Sequence, residues 1–276
     1  MAITSQVQPS IEALAAAFSG PLVTIGPSSL GSKFREMSRD REVIPIARGM
    51  GRTARPVVDL VADLPHEGVV IVDSPSDPLG ALTTVAEAVR LARACQVVLV
   101  DERYAGFSGF TLLPLVTELE NVIVMRAFAH GNGHDTPQIG WMAAPSQLAA
   151  FATNAVPAPD QDVFAAAVAA LSDLPELGCA MRRAREERSR LYRLLRKFSF
   201  LAPVPSWGPF ISARVEIGTR DWLAEALQQR SVRVYRPNDV GLEQFIRIGI
   251  GTRSEMDRLR AALLDVAPEL MESVSA

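Results

Sequence analysis

The chain has 276 residues, 48% of them hydrophobic, which suffices for one large domain or two modest ones around a buried core. A net charge of −3 and a pI near 5.7 exclude the basic footprint of nucleic-acid binding and leave small molecules or proteins as partners. No apolar run approaches the roughly 20 residues of a membrane span, the opening MAITSQVQPS lacks the regions of a secretory signal, and Cys95 and Cys179 lack metal or disulfide spacing; a cytoplasmic protein with both thiols in its core is expected.

In chain order, short apolar runs alternate with amphipathic ones. PLVTIG at 21–26, EVIPIA at 42–47, GVVIVD at 68–73, QVVLVD at 96–101 and NVIVMRAF at 121–128 read as buried strands. IEALAAAF at 11–18, VVDLVADL at 57–64 and LTTVAEAVRLARA at 82–94 carry apolar residues at helical spacing. Such alternation requires crossover connections, so an α/β fold with a mostly parallel sheet and helices on both faces is expected. A proline-containing break, NAVPAPD at 154–160, precedes further helical sequence through 174. The segment 175–198 then reads as a long charged helix whose arginines and glutamates form a solvated face. Beyond it come a strand at 210–217, a helix at 221–230, strands at 232–236 and 245–250, and a closing helix from Ser254. This pattern predicts a large α/β domain over 1–174 and a small α+β domain over 175–276.

The sharpest local signal is QVVLVDERYAGFSG at 96–109, because an acidic residue ending a buried strand sits where open α/β sheets bind ligands. The segment resembles the VVVDEAYxEF motif of histidinol-phosphate aminotransferases, and SPSDPLGA at 74–81 is similar to that family's NPNNPTG turn. NVIVMRAFAHGNGHDTPQIGWMAAP at 121–145 lines up without gaps against the family's NLxVLRTxSKAFGLAGLRxGY, and FIRIGIGTRSEMDRLRAAL at 245–263 against LRIxxGTxEENxxFLxAL. The order and spacing of four separated segments identify the chain as a member of this group, which includes threonine-phosphate decarboxylases.

The resemblance implies a pyridoxal-phosphate transferase fold and, at matching positions, a set of roles. Asp101 would pair with the pyridine nitrogen of the cofactor, Tyr104 would stand near its phenolic oxygen, and Arg247 would hold a substrate carboxylate by a two-pronged hydrogen bond. The family's Schiff-base lysine falls on His130, whose imidazole cannot form that linkage. The other lysines, Lys33 and Lys197, lie on an early helix and at the end of the charged helix. Two phosphate ligands become Ala129 and Gln138, the asparagine of the turn becomes Asp77, and a substrate-contacting asparagine becomes Pro209. Only Met1 to Gln8 precede the first helix, so the family's opening arm and glycine-rich phosphate turn are expected to be missing.

These departures predict a family member that has lost transamination, holds no cofactor or holds pyridoxal phosphate non-covalently, and acts as a ligand-binding, regulatory or partner homologue. Its ligand would be a small amino-acid-like or phosphorylated compound, and the family implies a homodimer. Two alternatives stay open. One is acid–base or metal chemistry using His130, His134 and Asp135 with Asp77 and Asp101, against which GNGHDTP reads as a solvated turn. The other is a working aminotransferase or decarboxylase of amino-acid or cobalamin biosynthesis. Trp141 and Trp207 read as interface packing rather than as cofactor-facing aromatics.

Overall fold

The computed structural model describes residues 1–4, 6–37, 41–47, 64–127, 139–171 and 174–275. The larger sheet is built from β1 (Ala2–Thr4), β2 (Leu22–Gly26), β3 (Val43–Ala47), β4 (Val69–Asp73), β5 (Val97–Asp101), β6 (Val122–Ala127) and β7 (Gly140–Ala143). Its order is β1-β7-β6-β5-β4-β2-β3. The pairs among β2 to β6 are parallel, and β7 and β1 close one edge antiparallel.

The two central strands explain the arrangement. In VVIVD and VVLVD every residue is buried, so neither face can meet water. Val70, Val72, Val98 and Val100 enter one core with Ala88, Leu91 and Ala92 of α3 (Val85–Ala94), whereas Val69, Ile71, Val97 and Leu99 enter the other with Val7, Ile11 and Leu14 of α1 (Val7–Ala17). The alternating side chains of a strand thus serve opposite cores, and helices cover both. Helix α3 starts at a capping box, with the Thr84 hydroxyl accepting from the Glu87 amide and the Glu87 carboxylate accepting from the Thr84 amide.

The smaller sheet, ordered β10-β9-β8, is antiparallel and comprises β8 (Leu201–Pro203), β9 (Phe210–Val215) and β10 (Phe245–Gly249). It packs on α8 (Leu174–Leu195), α9 (Arg220–Gln229) and α10 (Arg253–Ser275) through Leu191, Leu195, Leu223, Leu227, Leu259 and Leu263. The predicted strand VRVYR at 232–236 is absent. The Val232 amide is taken by the Leu227 carbonyl at the end of α9, and only Tyr235 pairs, as a single bridge with Arg247. The predicted helix at 57–64 lies almost wholly outside the described residues.

Several contacts tie the two sheets together. The Ser212 hydroxyl donates to the Pro78 carbonyl, and the Trp207 amide donates to the Gly80 carbonyl at 2.8 Å. Gly80 has φ of +75°, and a Cβ there would lie 1.9 Å from Ser206 Oγ, so both the turn and the close approach require glycine. Arg188 of α8 donates to the carbonyls of Phe107, Trp207 and Gly208. Its burial lowers its pKa, so this arginine of the charged helix is a structural tie and not part of a solvated face. Cys95 is buried as expected, but Cys179 is only half-buried, beside Arg182 on α8. Among the described residues no helix is long and apolar enough to cross a membrane.

Candidate functional site

Strands β4 and β5 end side by side, with Asp73 and Asp101 in register. Parallel strands put both carboxyl groups at the same edge of the sheet, the edge at which open α/β sheets bind ligands. The turn 74–81 leaves β4 there, the segment 102–109 leaves β5, and the small sheet meets both. The sequence motifs therefore converge because their strands are parallel neighbours.

The Asp101 side chain, 1% exposed, is already engaged. Its Oδ1 accepts from the Arg103 amide at 2.9 Å, and its Oδ2 accepts from Arg103 Nε at 2.7 Å and pairs with Nη2. Burial alone would lower the pKa of this guanidinium, but the Asp101 carboxylate outweighs that and raises it. Arg103 was not singled out from the sequence. Its signal was present, since the motif's DEAY reads DERY here, with arginine in place of alanine.

This arrangement decides how well the donor set fits pyridoxal phosphate. A ring nitrogen held protonated needs a carboxylate oxygen open to it, and a neighbouring fixed cation opposes a second positive charge. Here the guanidinium covers the carboxylate, and almost no surface of Asp101 remains for a ring to approach. As folded, Asp101 does not fit the cofactor.

Three residues named from the sequence do come together. Arg247 Nη1, on β10, lies 2.8 and 2.7 Å from the two carboxylate oxygens of Asp77, and the Tyr104 hydroxyl donates to Asp77 Oδ2 at 3.3 Å. The Arg247 guanidinium stands 4.7 Å from the ring centroids of both Phe210 and Tyr235, and Tyr104 meets Phe210 edge-on at 5.6 Å. Burial raises the pKa of Asp77, and Arg247, Tyr104 and Arg103 oppose the rise. Burial, and then the Asp77 charge, raise that of Tyr104. The predicted repulsive carboxylate is thus paired internally with the predicted substrate arginine.

Two further carboxyl groups were missed. Asp73 Oδ2 accepts from the Asp77 amide at 2.8 Å and the Ser28 hydroxyl at 3.2 Å, while its buried Oδ1 has no partner among the described residues. Burial pushes its pKa up to about 8, with the nearby Asp101 and Asp77 adding to the effect, so it carries a proton at neutral pH. Glu102 accepts from the Thr111 hydroxyl at 2.6 Å and the Leu112 amide, with Arg126 Nε at 3.6 Å. Burial raises its pKa as well. Arg126 lies over the ring of Trp141, which packs against the core of the larger sheet. Trp207 is exposed at the junction of the sheets, and Pro209 contributes a backbone carbonyl to Ile250.

His130, Ala129, Gln138, His134 and Asp135 lie outside the described residues. Lys33 is exposed and pairs with Glu12, and Lys197 is exposed beyond the end of α8. Among the described residues no group of three His, Cys, Asp or Glu is placed to hold a metal ion.

A family model described as aminotransferase class I and II matches residues 39–263. The histidinol-phosphate aminotransferase of Geobacter sp. (strain M21) is 33% identical over 201 residues, covering 71% of this chain and 56% of that protein. The chain spans about half the length of the curated relatives it matches. Among solved structures, the histidinol-phosphate aminotransferase from Clostridium acetobutylicum superposes with a TM-score of 0.85 at 17% identity, covering 98% of this chain and 84% of that one. The histidinol-phosphate aminotransferase from Sinorhizobium meliloti in complex with pyridoxal-5'-phosphate gives 0.76 at 22% identity, covering 98% and 77%. The folds agree, and the family match spans most of the sequence: the chain belongs to the class I and II aminotransferase family and is histidinol-phosphate-aminotransferase-like within it.

Proposed function

We propose that the chain is a non-transaminating member of its family, a ligand-binding or regulatory homologue that works without covalently held pyridoxal phosphate. The observation that carries this reading is the Arg103 guanidinium seated on Asp101, which satisfies internally the charge that a protonated cofactor ring would otherwise meet. The sequence supports it independently. Histidine stands at the position of the family's lysine, and the chain's two lysines are both exposed, with Lys33 paired to Glu12.

In this reading the protein is a cytoplasmic homodimer with domains over 1–174 and 175–276. Exposed Phe164 and Val168, one turn apart on α7 (Gln161–Leu171), and Phe151 on α6 (Ser146–Ala155) support an apolar contact surface. A second reading, cofactor-independent acid–base chemistry in the same cleft, draws on Asp73, a buried carboxyl that holds a proton at neutral pH and has one unpartnered oxygen.

The test is an amino-transfer assay with the purified chain, saturating pyridoxal phosphate, a panel of amino donors comprising L-amino acids and histidinol phosphate, and a 2-oxo acid acceptor. We expect transfer no faster than in a chain-free control with the same cofactor. Sustained, enzyme-proportional transfer or decarboxylation would establish a working enzyme of amino-acid or cobalamin biosynthesis and overturn the proposal.

A further inference from the structure

The charged groups at the sheet edge form pairs of unequal accessibility. Asp101 and Glu102 have side chains only 1% exposed, whereas Asp77 and Arg247 are 18% and 24% exposed. The Asp77–Arg247 pair is therefore the one in this cluster that solvent, and hence a dissolved ion, reaches most readily. Arg247 commits only Nη1 to Asp77, and among the described residues its Nε and Nη2 have no hydrogen-bond partner. Phe210 and Tyr235 flank the guanidinium, and paired backbone hydrogen bonds between Tyr235 and Arg247, at 2.9 and 2.7 Å, fix the strand beneath it. The cation is thus held in place by contacts that do not depend on Asp77.

We propose that Asp77 is an internal carboxylate ligand of Arg247, exchanged for the carboxylate of a small molecule with uptake of one proton by Asp77. The inference rests on the reading that this cleft is free of pyridoxal phosphate. The exchange balances as follows. A ligand carboxylate displaces Asp77 from Arg247, and the released Asp77 carboxylate takes a proton from solvent. One ion pair is replaced by another and a neutral carboxylic acid remains. No bond other than the O–H of Asp77 forms.

The proton follows from the groups that face Asp77. Arg247 approaches from β10, Tyr104 and Arg103 from the segment after β5, and Asp73 from the end of β4. Burial already holds the Asp77 carboxyl above the usual carboxylate range although Arg247 opposes it. Removing that largest opposing influence raises it further, and Tyr104 can then accept a hydrogen bond from the protonated acid. Asp73, protonated below about pH 8, contributes no compensating charge. Loss of the Arg247 contact therefore shifts Asp77 further towards its protonated form.

The experiment is calorimetric titration of the cofactor-free chain with acetate near neutral pH, at constant ionic strength set by chloride, in two buffers of different ionisation enthalpy. We expect net proton uptake on acetate binding, approaching one proton per acetate, and a Kd that rises with pH across that range. Acetamide, which lacks the charge, should not bind. In Asp77→Asn, a near-isosteric change, proton uptake should vanish and acetate should bind at least about tenfold more tightly, because no internal competitor remains. Acetate binding without proton uptake, uptake that persists in Asp77→Asn, or failure of Asp77→Asn to bind acetate would each overturn the inference. Its failure is distinct from failure of the functional reading, which would show as covalent cofactor uptake whatever acetate does.

Discussion

Arg103→Ala is expected to lower the free energy of unfolding by about 3–5 kcal/mol, the usual cost of removing one partner of a buried ion pair. The remaining Asp101 carboxylate is 1% exposed and stands in register with the uncharged Asp73, and among the described residues no other cation pairs with it. Asp101 Oδ2 would lose its side-chain partner, and among the described residues the amide of residue 103 would remain as donor to Oδ1. The double variant Arg103→Ala/Asp101→Asn should recover a large part of the loss, because the uncompensated charge goes with the carboxylate. Urea unfolding of the wild type and the two variants measures this directly. A cost below about 1 kcal/mol for Arg103→Ala would show the pair to be no stronger than an exposed one.

Asp73→Asn should act in the opposite direction and depend on pH. The folded-state pKa, about 8, lies above the ordinary value of 3.8, so between these limits the folded chain holds a proton that the unfolded chain has released. The stability this group contributes is therefore fully present below the ordinary value and is lost as pH rises towards about 8. The full loss is on the order of 5 kcal/mol, from about 1.4 kcal/mol per pH unit. Asparagine keeps an oxygen for the Asp77 amide and the Ser28 hydroxyl but does not titrate. The variant should match the wild type below about pH 3.8 and exceed it increasingly as pH rises to about 8, as read from urea midpoints across that range. Parallel pH profiles for the two proteins would refute the buried, protonated state of Asp73.

Much of the larger sheet was legible because strands buried on both faces must be continuous apolar runs, as β2, β4, β5 and most of β6 are, whereas β3, expected to be buried, is an edge strand with no buried residue. The antiparallel edge was not: β1 and β7 are only three and four residues long, too short for a periodic signal. VRVYR has the composition of a strand, yet the end of α9 takes its first amide, so tertiary context overrode propensity. At the site, Asp77, Tyr104 and Arg247 were recognisable by their place in motifs, and the meeting of Asp77 with Tyr104 follows from the parallel order of β4 and β5. That Arg247 and Asp77 satisfy each other was not legible, because it depends on how the small sheet docks. Arg103 was visible as a one-letter departure within a quoted motif, and its importance emerged only with Asp101 beneath it. Asp73 read as an ordinary strand end, since burial by Ser28 and the 74–81 turn is a property of packing and not of local sequence.

In the proposed reading Arg103 takes the place on Asp101 that a cofactor ring would need. Equilibrium dialysis of the wild-type chain against pyridoxal phosphate, followed by borohydride reduction and peptide mass analysis, tests it most directly. The account predicts a colourless protein with affinity no tighter than about 1 mM and no peptide labelled stoichiometrically, because each lost charge-assisted bond removes roughly 1.5–3 kcal/mol. One cofactor retained per chain with micromolar affinity, or one lysine peptide labelled in full, would contradict it.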